Sequence, residues 1–192
     1  VDFFRMRKSI QDRVIRRIPI EGEEHFANAM AMGRGVIAIS AHYGSWELMT
    51  AALTALGYTM NGVVQAEDHA RTNRMFVRQR GRCGMRVIPH GKAVHGVLEA
   101  LRRHEAVAIM GDVELSPHVD IVNLAGAPAR LPAGPARIAI KMRAPIVPGF
   151  IRERSPGSCF MRLHPPIVPG PDTNVQELQR RIASVMEREI AE

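Results

Sequence analysis

The chain has 192 residues, of which 46% are hydrophobic and 23% charged, the make-up of one folded domain with a sizeable core. Its formal net charge of +7 favours anionic partners, whether nucleic acid, a membrane surface or a phosphorylated substrate. The two cysteines, Cys83 and Cys159, fit neither a disulfide framework nor a zinc site, and no run approaches the ~20 apolar residues of a membrane helix.

The chain opens on VDFFRMRKSIQDRVIRR, which lacks the apolar core of a signal peptide. Its mixture of Phe, Met, Ile and Arg suits a helix lying on an anionic surface, and equally a solvated helix packed on the domain. Residues 22–32 (GEEHFANAMAM) predict a helix ended by Gly33, and GVIAIS at 35–40 a buried strand. WELMTAALTAL at 46–56 predicts a helix closed by Gly57, followed by a strand near 59–65 and an Arg-rich helix near 68–82. MRVI at 85–88 is a short strand. In the next helix Val94, Val97, Leu98 and Leu101 take the spacing of a core-facing stripe. AVAIMGD at 106–112 is a second buried strand, ending in a carboxylate, and residues 113–134 read as loop, with prolines at 117, 128 and 132. A helix over 134–142, strands near 145–151 and 159–163, a Pro-rich turn (PPIVPGP) and a terminal helix near 173–190 complete the chain. Strands alternating with helices predict an α/β fold with a mixed, largely parallel sheet flanked by helices.

Two buried strands end in polar clusters, one running from His42 to Glu47 and the other holding Asp112 and Glu114. Ligands of open α/β sheets bind beyond the carboxyl ends of strands, so both clusters are candidates for one site. With Gly44 opening a helix between them, Glu47 can face back and orient the His42 ring, freeing its other nitrogen to act as general base. A Glu47 oxygen is therefore expected within hydrogen-bond reach of that ring. The same spacing also suits a histidine that only caps the fold. No G-x-S-x-G elbow accompanies the pair, which suits direct transfer to an acceptor hydroxyl. Asp112 and Glu114 either support the His42 pair or cap the next turn.

Arg71, Arg74, Arg78 and Arg82 share one helical face, while Arg80 points elsewhere. The stripe is either a phosphate-binding surface or a solvated face. His90 and His95 lack the spacing of helical metal ligands and read as surface or packing residues, and the remaining histidines have no convincing partners, so no metal site is expected. Pro132, Gly134 and Pro135 make a rigid loop ahead of a helix, suited to an oxyanion or to a plain connection.

The order of these pieces resembles one family, the bacterial lysophospholipid and lipid A biosynthesis acyltransferases with their phosphatidylinositol-mannoside relatives. IEGEEHFANAMAMGRGVIAISAHYGSWE is similar to the family's opening segment; His42, Gly44, Trp46 and Glu47 match its H-x-G-N-W-E landmark, with Ser45 where Asn is usual. The Arg-rich helix, the acid-tipped strand and VDIVNLAGAPARLPAGPARIAIKMRAPIVPGF extend the likeness over roughly residues 18 to 170. The resemblance implies a glycerolipid-acyltransferase-like fold and transfer of a fatty acyl chain from acyl-carrier protein or acyl-CoA to a glycolipid hydroxyl. In that scheme His42 is the base, Glu47 its orienting carboxylate and Asp112 a supporting acid. Arg82 and then Arg78 best match the basic landmark, and the thioester is a co-substrate rather than a cofactor.

The family's N-terminal membrane anchor and its PEQWxWxH end are both missing here. A single catalytic core, 1–192, cut at both ends and acting at the cytoplasmic face of the bacterial inner membrane, is therefore expected. Glycerol-phosphate acyltransferases prefer His-x4-Asp and a Phe-Pro-Glu-Gly-Thr-Arg loop, which Glu47 and RLPAGPAR fit less well. A nucleic-acid-binding module would want aromatic residues among the arginines, and Phe76 is the only one in that helix. A membrane-surface protein without turnover is the third alternative.

Overall fold

The computed structural model describes residues 18–113, 119–124, 126–155 and 158–191. The N-terminal segment read as a surface helix, and Glu114, lie outside these residues. In chain order the elements are β1 (Ile20–Glu21), α1 (Glu23–Ala31), β2 (Val36–Ser40), α2 (Trp46–Ala55), β3 (Met60–Val64), α3 (Ala70–Arg82), β4 (Arg86–Pro89) and α4 (Ala93–Arg102). They continue with β5 (Ala106–Met110), β6 (Val119–Leu124), β7 (Ala127–Pro132), α5 (Gly134–Met142), β8 (Ile146–Ser155), β9 (Ser158–Leu163) and α6 (Val175–Ala191). No helix among the described residues is long and apolar enough to cross a membrane.

Seven strands form one sheet in the order β1-β9-β8-β2-β5-β3-β4. The pairs β8-β2, β2-β5, β5-β3 and β3-β4 are parallel, and β9 is antiparallel to β8, giving the mixed, largely parallel sheet that the alternating sequence implies. The chain walks outward from β2 to β3 and β4, then returns to lay β5 between β2 and β3. Because crossovers are right-handed, a return in the opposite direction carries its helix to the opposite face. Two cores follow. Val36, Ala38, Ala106, Ala108 and Val147 pack under α1 and α2, while Ile37, Ile39, Val107 and Ile146 pack under α4, α5 and α6. Consecutive residues of one strand thus serve opposite cores, which is why GVIAIS and AVAIM read as unbroken apolar runs.

Two differences from the sequence reading have physical causes. Residues 119–132 form a hairpin, β6 on β7, where prolines and Gly126 suggested loop. Prolines are tolerated in such an outlying pair, and its own small core of Val122 and Leu131 is closed by Ala183 of α6. In α4, Val97 and Leu101 are buried and Leu98 half-buried, as the stripe predicts, but Val94 is 65% exposed.

Candidate active site

His42 and Asp112 are 70 residues apart in sequence, and the sheet register joins them. Ser40 pairs with Met110 across β2 and β5, and the Gly111 N–H donates to the Ser40 carbonyl at 2.8 Å. Two residues beyond, His42 and Asp112 occupy matching positions on neighbouring strand ends. The His42 backbone N–H donates to Asp112 Oδ2 at 2.7 Å, and its ring Nδ1 lies 2.9 Å from Asp112 Oδ1. An ionised carboxylate only accepts, so Nδ1 carries the proton and Nε2 keeps its lone pair in the neutral ring. Among the described residues Nε2 has no hydrogen-bond partner.

Glu47 is not the histidine's partner, contrary to the expectation from spacing. Gly44 turns the chain at φ 71°, and its α-carbon sits so close to β8 that a Cβ there would overlap the Ile151 carbonyl. The helix α2 then starts at Trp46, and Glu47, in its first turn, turns toward α3. There its Oε1 lies 3.4 Å from Arg80 Nη2, with both side chains largely buried.

The arginines of α3 divide between two faces, as the helical spacing implies. Arg71, Arg74, Arg78 and Arg82 are all exposed, and they border a shallow surface depression with Met75 and Val77, apart from His42. Arg80, two residues from Arg78 and Arg82, projects from the other side of the helix as a 3.6-residue period requires. Its guanidinium carbon lies 5.1 Å from the Trp46 ring and 5.2 Å from the Phe76 ring. Its buried Nε has no hydrogen-bond partner among the described residues, a cost that a buried polar group rarely bears. The signal in the sequence was the odd arginine out of the stripe.

His42 and Arg80 both line a groove of about 460 Å³ at the carboxyl end of the sheet. Its walls are mainly apolar, with Val64, Val94, Val97, Ile109 and Ile138 among them, which explains why Val94 can face outward. Pro132, Gly134 and Pro135 edge it, so the loop singled out in the sequence does reach the site. His90 lines it too, whereas His95 is exposed and 3.3 Å from Glu99. Below the groove, burial and then the nearby Glu47 push the Cys83 thiol up, which keeps it protonated and inert. Among the described residues no three His, Cys, Asp or Glu side chains converge as metal ligands would.

Comparison with known proteins gives a consistent answer. The family model for the bacterial lipid A biosynthesis acyltransferase matches residues 1–192. Phosphatidylinositol mannoside acyltransferases from two strains of Mycobacterium tuberculosis are each 26% identical over 133 residues, which is 67% of this chain and 42% of theirs. The one from Mycolicibacterium smegmatis is 24% identical over 149 residues, 76% of this chain and 49% of its own. The chain thus spans less than half the length of these relatives.

Proposed function

Because this chain belongs to the bacterial lipid A biosynthesis acyltransferase family, we propose that it transfers a fatty acyl group from a thioester to a hydroxyl of a glycolipid. The observation that carries this reading is the His42 ring, fastened at Nδ1 by Asp112 and without a partner at Nε2 among the described residues, on the wall of an apolar groove.

In this mechanism His42 Nε2 takes the proton of the acceptor hydroxyl as its oxygen attacks the thioester carbonyl. Asp112 stabilises the imidazolium so formed. The carbonyl oxygen gains the negative charge of the tetrahedral intermediate, and Arg80 is the arginine that lines the groove with His42. Its guanidinium spends one donor on Glu47 and is held between two rings, so it needs little reorganisation to serve developing charge. Collapse of the intermediate breaks the carbon–sulfur bond and expels the thiolate, which recovers the proton from His42. The acyl chain lies against Val64, Val97, Ile109 and Ile138.

The donor is acyl-carrier protein or acyl-CoA, and the acceptor a lipid A precursor or a phosphatidylinositol-mannoside-type glycolipid. The relatives' names support a glycolipid acceptor. The reaction is set at the cytoplasmic face of the bacterial inner membrane. There Arg71, Arg74, Arg78 and Arg82, with Met75 and Val77 exposed beside them, meet lipid phosphate or an acidic carrier.

The test is acyl transfer from a labelled thioester to membrane glycolipid, comparing the parent chain with His42→Ala. A loss of ~10³-fold is expected from removal of the base. Equal rates in the two chains would refute the mechanism.

A further inference from the structure

Glu189 lies near the end of α6 and is 1% exposed. Its Oε1 accepts from His164 Nε2 at 2.7 Å and from Arg162 Nη1 at 3.1 Å. Among the described residues Oε2 accepts no hydrogen bond, and it faces Arg152 Nη1 at 3.7 Å. His164 had no convincing partner by sequence spacing, and the buried glutamate 25 residues away is that partner. Withdrawing a carboxylate from water is expensive, and an apolar side chain would pack α6 on the sheet at lower cost. A buried charge in such a place is better explained by the one arrangement of its neighbours that it selects.

Those neighbours lead to the reacting histidine. Arg152, on β8, is only 13% exposed, and its guanidinium carbon lies 6.0 Å from the ring centroid of Tyr43, the residue after His42. The preceding residue, Ile151, is the one whose carbonyl lies directly against Gly44. The turn bearing His42 is therefore seated on β8 at two consecutive residues, once by backbone contact and once by an arginine beneath a ring. Glu189 faces that arginine from α6, at 3.7 Å.

We propose that Glu189 and Arg152 are positioning residues that hold Tyr43, and with it the turn of His42 to Ser45, where His42 meets Asp112. The C-terminal helix is then part of the catalytic centre, although it contributes no atom to the groove. This inference rests on the reading of His42 as the base, and its test includes a readout that needs no activity.

That readout is hydrogen exchange of the His42 amide, whose bond to Asp112 a displaced turn loses first. The Ile37 amide, bonded to the Pro145 carbonyl inside the sheet, reports global opening. Arg152→Met and Glu189→Gln should each speed His42 exchange about tenfold, leave Ile37 unchanged, and lower kcat about tenfold with KM within about twofold. The double variant should be no worse than the worse single, because both cut one chain of contacts. Arg152→Lys should regain most of the loss, and Arg154→Met, whose 3.0 Å pair with Glu21 sits on the same hairpin, should behave as the parent. If Glu189→Gln does not fold, Tyr43→Leu at the exposed end of the chain takes its place. Parent-like His42 exchange in Arg152→Met, additive losses in the double variant, or His42 and Ile37 speeding up together would each overturn the proposal. Faster His42 exchange in a chain that transfers no acyl group would support the positioning role while removing the proposed reaction.

Discussion

Asp112→Asn is the most exposed consequence of the proposed mechanism, since it changes one atom and asks a yes-or-no question of the ring. Asp112 now serves two donors, the His42 N–H at 2.7 Å and the ring Nδ1 at 2.9 Å. An asparagine has one oxygen for both. If that oxygen keeps the shorter, backbone bond, its NH2 group faces Nδ1, which must become the acceptor. The ring proton then moves to Nε2, and the atom meant to take the hydroxyl proton no longer can. What is lost is the base's whole contribution, typically 10²–10⁴-fold. A fall of ~10³ in kcat corresponds to ~4 kcal/mol on the barrier, at about 1.36 kcal/mol per decade. Stability should fall far less, by ~1 kcal/mol, because the Asp112 side chain is 26% exposed and one charge-assisted bond becomes neutral.

The comparison that gives this number meaning is Glu47→Gln. A glutamine keeps an oxygen on Arg80 Nη2 and leaves the His42 tautomer alone, so its cost should be about tenfold or less. Both variants are assayed in single turnover with labelled thioester, after thermal melts have shown that they fold. A reversed order, with Glu47→Gln down ~10³-fold and Asp112→Asn within about tenfold, would show that the wrong carboxylate has been given the histidine.

Other outcomes follow from the same geometry. Gly44→Ala should destabilise the chain by ~2 kcal/mol or more and slow acyl transfer, because a Cβ there both strains φ 71° and meets the Ile151 carbonyl; a parent-like melting temperature would contradict the close approach. Glu105 accepts from Arg103, Asn61 and Arg86, and first the Arg103 bond and then Asn61 hold its carboxyl below the ordinary 4.5. Its folded pKa is depressed, so its stabilisation is present above the unfolded value and disappears as pH falls through the folded one. Glu105→Gln should therefore cost ~1–2 kcal/mol at neutral pH and nothing in strong acid, and a gap independent of pH would refute this. Replacing Arg71, Arg74, Arg78 and Arg82 with Gln should weaken binding to anionic vesicles by about 10²-fold or more at low salt, with the parent's affinity falling as salt rises; vesicle binding untouched by the change would remove that stripe from the membrane.

The sequence carried those parts of the fold that depend on local pattern. GVIAIS and AVAIMG announce themselves as buried strands because every residue meets one core or the other. The polar residues just beyond them stood out as site candidates by their place at strand ends, although the same place also suits capping residues. What the sequence could not show was register. Asp112 reaches His42 only because β5 returns to lie beside β2, a fact of topology carried by no spacing between the two residues. Glu47 was the partner that spacing offered, and spacing was silent about the turn at Gly44. The hairpin of β6 and β7 was hidden by Pro128 and Pro132, which mark a loop unless another element covers the pair, as α6 does. Arg80 was seen to leave the stripe but not where it went, because its destination is set by Trp46 on α2.

His42 and Arg80, which line the groove, each belong to a charge pair of different origin. His42 and Asp112 stand on adjacent parallel strands, so the sheet's own hydrogen bonds fix their separation and only the turn after His42 remains to be held. Glu47 and Arg80 stand on helices, Glu47 in the first turn of α2, where the helix dipole favours a negative charge, and Arg80 near the end of α3. The first pair is fixed by the sheet register. The second is longer, at 3.4 Å against 2.9 Å, and ties the first turn of α2 to the end of α3, with the guanidinium beside the Trp46 and Phe76 rings. A histidine and a glutamate five residues apart thus belong to separate pairs: the histidine lines the groove itself, and the glutamate holds the arginine that does.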